Sequence, residues 1–269
     1  MQREQFLRAF HDAQPGITSR AMARAGSYER LAAKVPKGRV LDLGCGDGTL
    51  LRLLGPHAIG IDVSHGELVA AKAVVTAGGT GAGAVVVQAR AQELPFRDRT
   101  FDAATCHLAF MLFDEIECVV AELARVLKPR APFVALLGGG PTAGGGASAG
   151  GGASAGGGAG AGGDDAFHRF THILSRTKAA SPYTDIFRGA GDKRASSEAG
   201  WRELFRGWSE PQFERWPLDL GGTFDEVWTF LAASYQMRDH DYVRDRLREE
   251  FPGDYVPCTV VGFCATVTR

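Results

Sequence analysis

The sequence has no apolar run that approaches the roughly 18 residues needed to span a bilayer. Its first residues lack the apolar core of a secretory signal peptide. The five cysteines, at positions 45, 106, 118, 258 and 264, form no Cys-x-x-Cys pair and have no metal-ligand spacing. From these absences we expect a cytoplasmic protein with reduced thiols, no membrane partner and no bound metal.

An excess of charge is missing as well, since 30 Lys and Arg residues balance 31 Asp and Glu residues. The net charge of −1 gives no strong attraction to the phosphates of nucleic acid. The sequence also lacks a recognisable nucleic-acid-binding module. We therefore expect no nucleic-acid partner, and the sequence carries no indication of oligomeric state.

Sequence complexity is low between residues 138 and 163, which are almost entirely glycine, alanine and serine. The hexamer Gly-Gly-Gly-Ala-Ser-Ala occurs twice in tandem, at 144–149 and 150–155. Such a segment cannot bury enough apolar surface to order itself. It is predicted to be a disordered insertion, which is either a tolerated surface expansion or the tether of a moving lid formed by residues 164–200.

Short apolar runs alternate with helical patterns over the first half of the chain. The runs predict five strands, at 39–43, 57–62, 84–88, 101–106 and 132–137. Helices are predicted at 49–54, from an N-cap at Ser64 with Glu67 in a capping box, and from an N-cap at Asp114. This alternation predicts a parallel sheet covered by helices on both faces, with ligands bound beyond the carboxyl ends of the strands.

The remaining segments predict additions to this core. Residues 1–35 have helical spacing broken at Pro15-Gly16. After the insertion we predict helices at 198–206, 224–235 and 240–251 and strands at 213–220 and 258–268. The chain is accordingly divided into a helical cap (1–36), a ligand-binding core (37–138), the insertion (139–163) and a variable region that completes the same domain (164–269).

A glycine-rich turn follows the first predicted strand, in "RVLDLGCGDGTL" at residues 39–50. Strand, glycine turn and helix in this order usually hold a nucleotide-like ligand. The spacing is Gly-x-Gly-x-Gly, so the third glycine comes one position early for a dinucleotide loop. Asp42, two residues before the first glycine, would repel a pyrophosphate but suits a ligand with an ammonium group.

Four blocks in order carry a family resemblance: "VLDLGCGDG", "IGIDVS", "AQELPFRDRTFDAATCHLAFMLF" and "ELARVLKPRAPFVAL". Together they resemble the class I S-adenosylmethionine-dependent methyltransferases that act on small molecules. The resemblance implies a Rossmann-like three-layer α/β sandwich whose mostly parallel seven-stranded sheet ends in an antiparallel strand. It also implies S-adenosylmethionine as cofactor, S-adenosylhomocysteine as product and methyl transfer to an O, N or C nucleophile of a small organic molecule.

The resemblance further implies which residues hold the cofactor. Asp42 would bind the methionine ammonium, the glycines would let the backbone approach, and Asp62 would bind the ribose diol. Val63, Ala91 and Gln92 would hold adenine, although Arg90 stands where related proteins often carry an acidic residue. The full predicted cofactor set is Asp42, Gly44, Cys45, Gly46, Gly48, Asp62, Val63, Ala91, Gln92 and Cys106.

One candidate catalytic residue is His107, at the end of the fourth predicted strand, which could orient the acceptor or act as a general base. Its alternative role is a wall histidine bonded to backbone. Asp42 has an alternative role as a carboxylate that caps nearby backbone N–H groups. The alternative role of Asp62 is to form a turn or cap a helix. His11, Arg20 and Tyr28 lie in N-terminal helices that could fold over the ligand.

Two other protein classes stay open at this point. A dinucleotide-dependent oxidoreductase shares the sheet, although the glycine spacing and Asp42 speak against it. A non-catalytic S-adenosylmethionine-binding regulatory protein is compatible with Arg90 and the long insertion.

Overall fold

Seven strands form one mixed sheet in the computed structural model, which describes residues 2–77, 82–138, 165–176, 191–235 and 241–269. The strands are β1 (Val40–Leu43), β2 (Ile59–Asp62), β3 (Val85–Gln88), β4 (Ala103–His107), β5 (Pro132–Gly138), β6 (Gln212–Asp219) and β7 (Thr259–Thr268). Their order is β3-β2-β1-β4-β5-β7-β6. The first five are parallel and β7 is antiparallel to both of its neighbours. The predicted sheet is confirmed.

Helices flank this sheet. Those of the first half are α1 (Gln2–Ala13), α2 (Ile17–Met22), α3 (Ser27–Lys34), α4 (Thr49–Leu54), α5 (His65–Thr76) and α6 (Ile116–Val126). Those of the second half are α7 (Ala166–Arg176), α8 (Glu198–Leu204), α9 (Phe224–Tyr235) and α10 (Asp241–Glu250). Short 3₁₀ turns cover Ala23–Ala25, Phe110–Leu112 and Lys193–Ser196.

The two faces of the sheet bury separate apolar clusters. One face packs against α6 and α8, where the Phe133 and Trp201 rings stack with centroids 5.8 Å apart. The other packs against α3, α7, α9 and α10. Adjacent residues of β4 point to opposite faces, so Cys106 enters the first cluster while His107 faces the other way.

Of the two predicted N-caps, the one at Ser64 is present and the one at Asp114 is not. Ser64 caps α5 by accepting the Glu67 N–H, but the Glu67 side chain bonds to the N-terminal segment, so the capping box is only half formed. Asp114 does not cap α6, because the chain turns at Glu115, whose φ is +50° and whose side chain makes no cap bond. The start of α6 is therefore set by backbone shape.

Two predictions fall outside the described residues. These are the disordered insertion at 139–163 and much of the lid segment 164–200. The division of the chain into cap, core, insertion and variable region stays a prediction. Strand β4 starts at Ala103 rather than at 101, because Phe101 forms only an isolated bridge to Leu127.

Candidate active site

A cavity of about 170 Å³ lies where the carboxyl ends of β1, β2 and β4 meet. The glycine turn after β1 forms its floor, the segments after β3 and β4 form its sides, and α1 and α2 cover it. Open parallel sheets bind ligands at this edge. The structure thus brings most of the predicted cofactor residues to one place.

The glycine turn has a backbone that only glycine adopts easily. Gly44, Gly46 and Gly48 all have positive φ, at +67°, +52° and +79°. A Cβ on Gly44 would also lie 2.7 Å from the Ala109 Cβ, well inside van der Waals contact. Glycine at this position therefore allows both the turn and the close approach of the segment after β4.

Asp42 ends up as a buried carboxyl group without a partner. Its side chain is 1 % exposed, and neither carboxylate oxygen has a hydrogen-bond partner in the part of the chain that the structure describes. Burial raises its pKa well above the usual range, and the nearby Asp62 charge adds to the effect. The alternative role of Asp42, capping neighbouring N–H groups, is therefore wrong.

Asp62 ties together the two loops that border the cavity. One carboxylate oxygen accepts the Gly46 N–H and the other the Ser64 N–H, each at 2.9 Å. Burial raises the pKa of Asp62, and these two N–H donors oppose the shift. Its turn-forming role is thus present, and each oxygen keeps a lone pair that a ligand could use.

The predicted adenine side of the cavity is lined by Val63, Ala91 and Gln92. The Gln92 amide N–H donates to the Asp114 carbonyl at 2.8 Å, which leaves its amide oxygen as an acceptor. Arg90 does not line the cavity, since its guanidinium pairs with Glu4 at 2.9 Å and with Glu115 at 3.3 Å. Arg90 fastens α1 over the rim, which explains an arginine at this position.

The two cysteines of the predicted set are placed differently. Cys45 lines the cavity and buries its side chain beside α4 and α5. Cys106 does not line the cavity, because its side chain points into the cluster under α6. The structure therefore corrects the prediction that Cys106 contacts the cofactor. Burial raises the pKa of both thiols, which makes them poor nucleophiles.

His107 is fixed in the cavity wall by the start of α3. Its Nε2 is 2.9 Å from the Ser27 hydroxyl, and its ring stacks on Tyr28 with centroids 3.9 Å apart. Burial lowers the pKa of His107 to about 3. A ring of this pKa is neutral at physiological pH and takes up a proton poorly, so the wall role fits better than that of general base.

The N-terminal segment covers the cavity through polar contacts with the core. The His11 ring lies 2.8 Å from Glu67 Oε1, and Glu67 Oε2 accepts the Gly16 N–H at 2.8 Å. Asp12 accepts the Ser64 hydroxyl at 2.7 Å. His11 and Tyr28 line the cavity as expected, whereas Arg20 does not and donates to the Pro15 carbonyl.

Most of the acidic side chains in this cavity are not indicated by local sequence. Its lining contains six carboxylates and, among the described residues, neither lysine nor arginine: Glu4, Asp42, Asp47, Asp62, Glu67 and Asp114. The aspartate within "GCGDG" was the one available signal, since an acidic residue inside a glycine turn is unsuited to phosphate. The lining favours a cationic ligand without phosphate groups.

No group of three or more His, Cys, Asp or Glu side chains is arranged to hold a metal ion in the described residues. Nor does any helix within them combine the length and apolar character needed to cross a membrane.

Known proteins match the part of the chain that builds this cavity. Residues 41–135 match the family model described as a methyltransferase domain. The sterol methyltransferase-like 2 of Botryococcus braunii is 36 % identical over 120 residues, which cover 41 % of this chain and 29 % of the relative. The demethylmenaquinone methyltransferase of Symbiobacterium thermophilum is 29 % identical over 155 residues, which cover 52 % and 62 %. The chain thus spans less than two thirds of these relatives.

Solved structures share the whole fold. The YcgJ protein of Bacillus subtilis superimposes with a TM-score of 0.56 at 20 % identity, over 92 % of this chain and 98 % of that one. An S-adenosylmethionine-dependent methyltransferase of Thermotoga maritima gives 0.52 at 14 % identity, over 99 % and 97 %. The comparisons thus show a methyltransferase domain at residues 41–135, set in a fold that these solved structures share.

Proposed function

We propose that this protein binds S-adenosylmethionine in the carboxylate-lined cavity and transfers its methyl group to an uncharged small organic molecule. The observation that carries the proposal is the acidic lining, with six Asp and Glu side chains and no lysine or arginine among the described residues. A dinucleotide carries phosphates that this lining would repel, whereas S-adenosylmethionine carries an ammonium, a sulfonium and no phosphate. The dinucleotide-dependent oxidoreductase is therefore disfavoured.

The residues present fit this cofactor. Asp42 has two unpartnered oxygens for an ammonium, and Asp62 keeps lone pairs for the ribose hydroxyls. The glycine turn leaves backbone space, and Val63 with Ala91 offers an apolar wall for adenine. When bound, S-adenosylmethionine would supply an electrophilic methyl group.

The protein's own part in the reaction is to align the acceptor and to exclude water. Leu108, Leu112 and Phe113 add apolar side chains on the β4 side of the cavity, where no described cation could pair with an acidic acceptor. His107, held by Ser27 and Tyr28, would orient the acceptor as a neutral ring. The names of the relatives, which refer to a sterol and to demethylmenaquinone, support a small acceptor.

Binding requires the covering helices to move. The cavity of about 170 Å³ is smaller than the roughly 300–1,000 Å³ of typical small-molecule sites. The polar contacts between α1 and the core through Asp12, His11 and Arg90 are the ones that would open. Of these contacts, the largely exposed Arg90–Glu4 ion pair contributes little stability. The Asp12 and His11 contacts have the buried partners Ser64 and Glu67, so they account for most of the cost of opening.

Calorimetry with S-adenosylhomocysteine, and with NAD as control, tests the cofactor assignment. We expect micromolar binding of S-adenosylhomocysteine and none of NAD. Binding of NAD, or failure to bind S-adenosylhomocysteine, would contradict the proposal. Turnover of radiolabelled S-adenosylmethionine with a panel of neutral acceptors then separates an enzyme from the non-catalytic regulatory protein.

Asp62→Asn tests the ribose contact, with Asp102→Asn as the matched control. Both carboxylates accept a backbone N–H at 2.9 Å, but Asp102 lies at the start of β4 and outside the cavity. We expect at least tenfold weaker binding of S-adenosylhomocysteine for Asp62→Asn, because a bond to a charged group contributes about 1.5–3 kcal/mol. Equal affinities of the two variants would refute the ribose assignment.

A further inference from the structure

Four buried side-chain atoms have no hydrogen-bond partner in the described parts of the chain, and they lie on one face of two adjacent strands. They are both carboxylate oxygens of Asp42, the Thr105 hydroxyl and Nδ1 of His107. Asp42 stands opposite Thr105 in the β1–β4 register, and His107 follows two residues later on the same face. Buried polar groups are nearly always paired, so such a cluster beside a cavity indicates a place prepared for a ligand.

Among the described residues, no positive charge faces Asp42 from the elements packed around it. The ionisable groups that share its surroundings are Asp62 from β2, Cys45 from the glycine turn, Cys106 from β4 and Tyr28 from α3. All of them are acids, and His107 is kept neutral by its burial. An ionised carboxylate in these surroundings would be both desolvated and repelled, and a buried group in that position takes up a proton.

The other carboxylates of the cavity are in a different situation. Asp47 accepts hydrogen bonds from the Thr49 hydroxyl at 2.8 Å and from Ser19. Asp62 and Glu67 accept backbone N–H groups. Each of these three has described hydrogen-bond donors, so Asp42 alone among these four combines full burial with no described donor.

We propose, resting on the cofactor assignment above, that Asp42 is protonated in the free protein and gives up its proton when the ammonium of the ligand binds beside it. The carboxyl O–H bond breaks, the proton passes to the solvent buffer, and the carboxylate stays behind as the partner of the ammonium. One proton leaves as one positive charge arrives, so the buried cluster keeps its net charge. The carboxylate charge that appears on Asp42 thereby offsets the cost of burying the ammonium.

The sign of the pH dependence follows from this exchange. The free protein holds the proton and the complex does not, so a higher pH favours the complex. While the pH lies below the pKa of Asp42 in the free protein, affinity should increase about tenfold per pH unit. The increase should level off above that pKa, where the proton has already left.

Calorimetry with S-adenosylhomocysteine, which retains the ammonium, measures the released proton directly. The titration is done at about pH 6.5 in two buffers with different enthalpies of ionisation, for the wild type, Asp42→Asn and Asp47→Asn. We expect close to one proton released by the wild type and by Asp47→Asn. Asp42→Asn should bind more weakly, release none and have an affinity that does not change with pH.

Infrared difference spectra of the wild type give a second readout that needs no variant. Ligand binding should remove the C=O band of a protonated carboxyl group and add a carboxylate band. Binding without proton release, or release that persists in Asp42→Asn, would overturn the proposal and leave the cofactor assignment intact. Absence of binding by the wild type would overturn both.

Discussion

Replacing Gly44 by alanine should destabilise the protein more than an equivalent change at Gly26. Both glycines are in the left-handed region, with φ of +67° and +60°. Alanine in that conformation costs about 1–2 kcal/mol relative to glycine. A Cβ on Gly26 would meet nothing within 4 Å, whereas one on Gly44 would lie 2.7 Å from the Ala109 Cβ.

The steric conflict gives the difference between the two variants. Inserting a methyl group into a packed site costs about 1–3 kcal/mol. We therefore expect Gly44→Ala to lower the free energy of unfolding by about 2–5 kcal/mol in total, and Gly26→Ala by only about 1–2 kcal/mol. Urea unfolding of the three proteins in the same buffer measures both values.

A double-mutant cycle isolates the contact between the two segments. Adding Ala109→Gly to Gly44→Ala removes the methyl group that the new Cβ meets, so the coupling should restore about 1–3 kcal/mol. Equal losses for Gly44→Ala and Gly26→Ala, or no coupling with Ala109, would refute the argument that the glycine turn is shaped by the segment after β4.

Two further predictions concern buried polar groups. Ser64→Ala should lower the free energy of unfolding more than Ser197→Ala does. Both variants lose an N-cap bond worth about 1 kcal/mol, but only Ser64 also donates a hydrogen bond to Asp12. Urea unfolding measures both losses, and equal losses would contradict the role of the bond to Asp12. Asp42→Asn should reduce the pH dependence of stability of the free protein. Because burial raises the pKa of Asp42 in the folded state, the folded protein binds more protons than the unfolded chain above its ordinary pKa of about 3.8, and wild-type stability falls as pH rises. Urea midpoints across acidic and neutral pH measure this slope, and an unchanged slope in the variant would contradict it.

Local pattern was sufficient to predict the strands and the helices around them, whereas the antiparallel end of the sheet was implied by the family resemblance. The helices at 49–54 and 224–235 have the predicted bounds, and the strands differ by one or two residues at their ends. The reason is that periodicity reports which face of an element is buried, whereas the last residues of a strand depend on what pairs with them. Phe101 illustrates this, since it forms an isolated bridge to Leu127 and does not extend β4.

Side-chain partners distant in sequence were the part that could not be predicted. The sequence predicts a capping box for Glu67, yet its side chain bonds to Gly16 and His11 on the N-terminal segment. The resemblance places Arg90 at the adenine site, yet its guanidinium pairs with Glu4 and Glu115. No local pattern encodes these pairs, because their members meet only after α1 has packed over the sheet edge.

The sequence by itself determined the order of strands and helices, the glycine turn after β1 and the carboxylate two residues before it. These features follow from side-chain periodicity and from backbone sterics that act within a few residues. Only the tertiary structure decided that Asp42 has no described partner, that Cys106 faces away from the cavity and that six carboxylates converge on it. Burial and electrostatic environment are properties of the packed chain, because they depend on residues that the sequence keeps far apart.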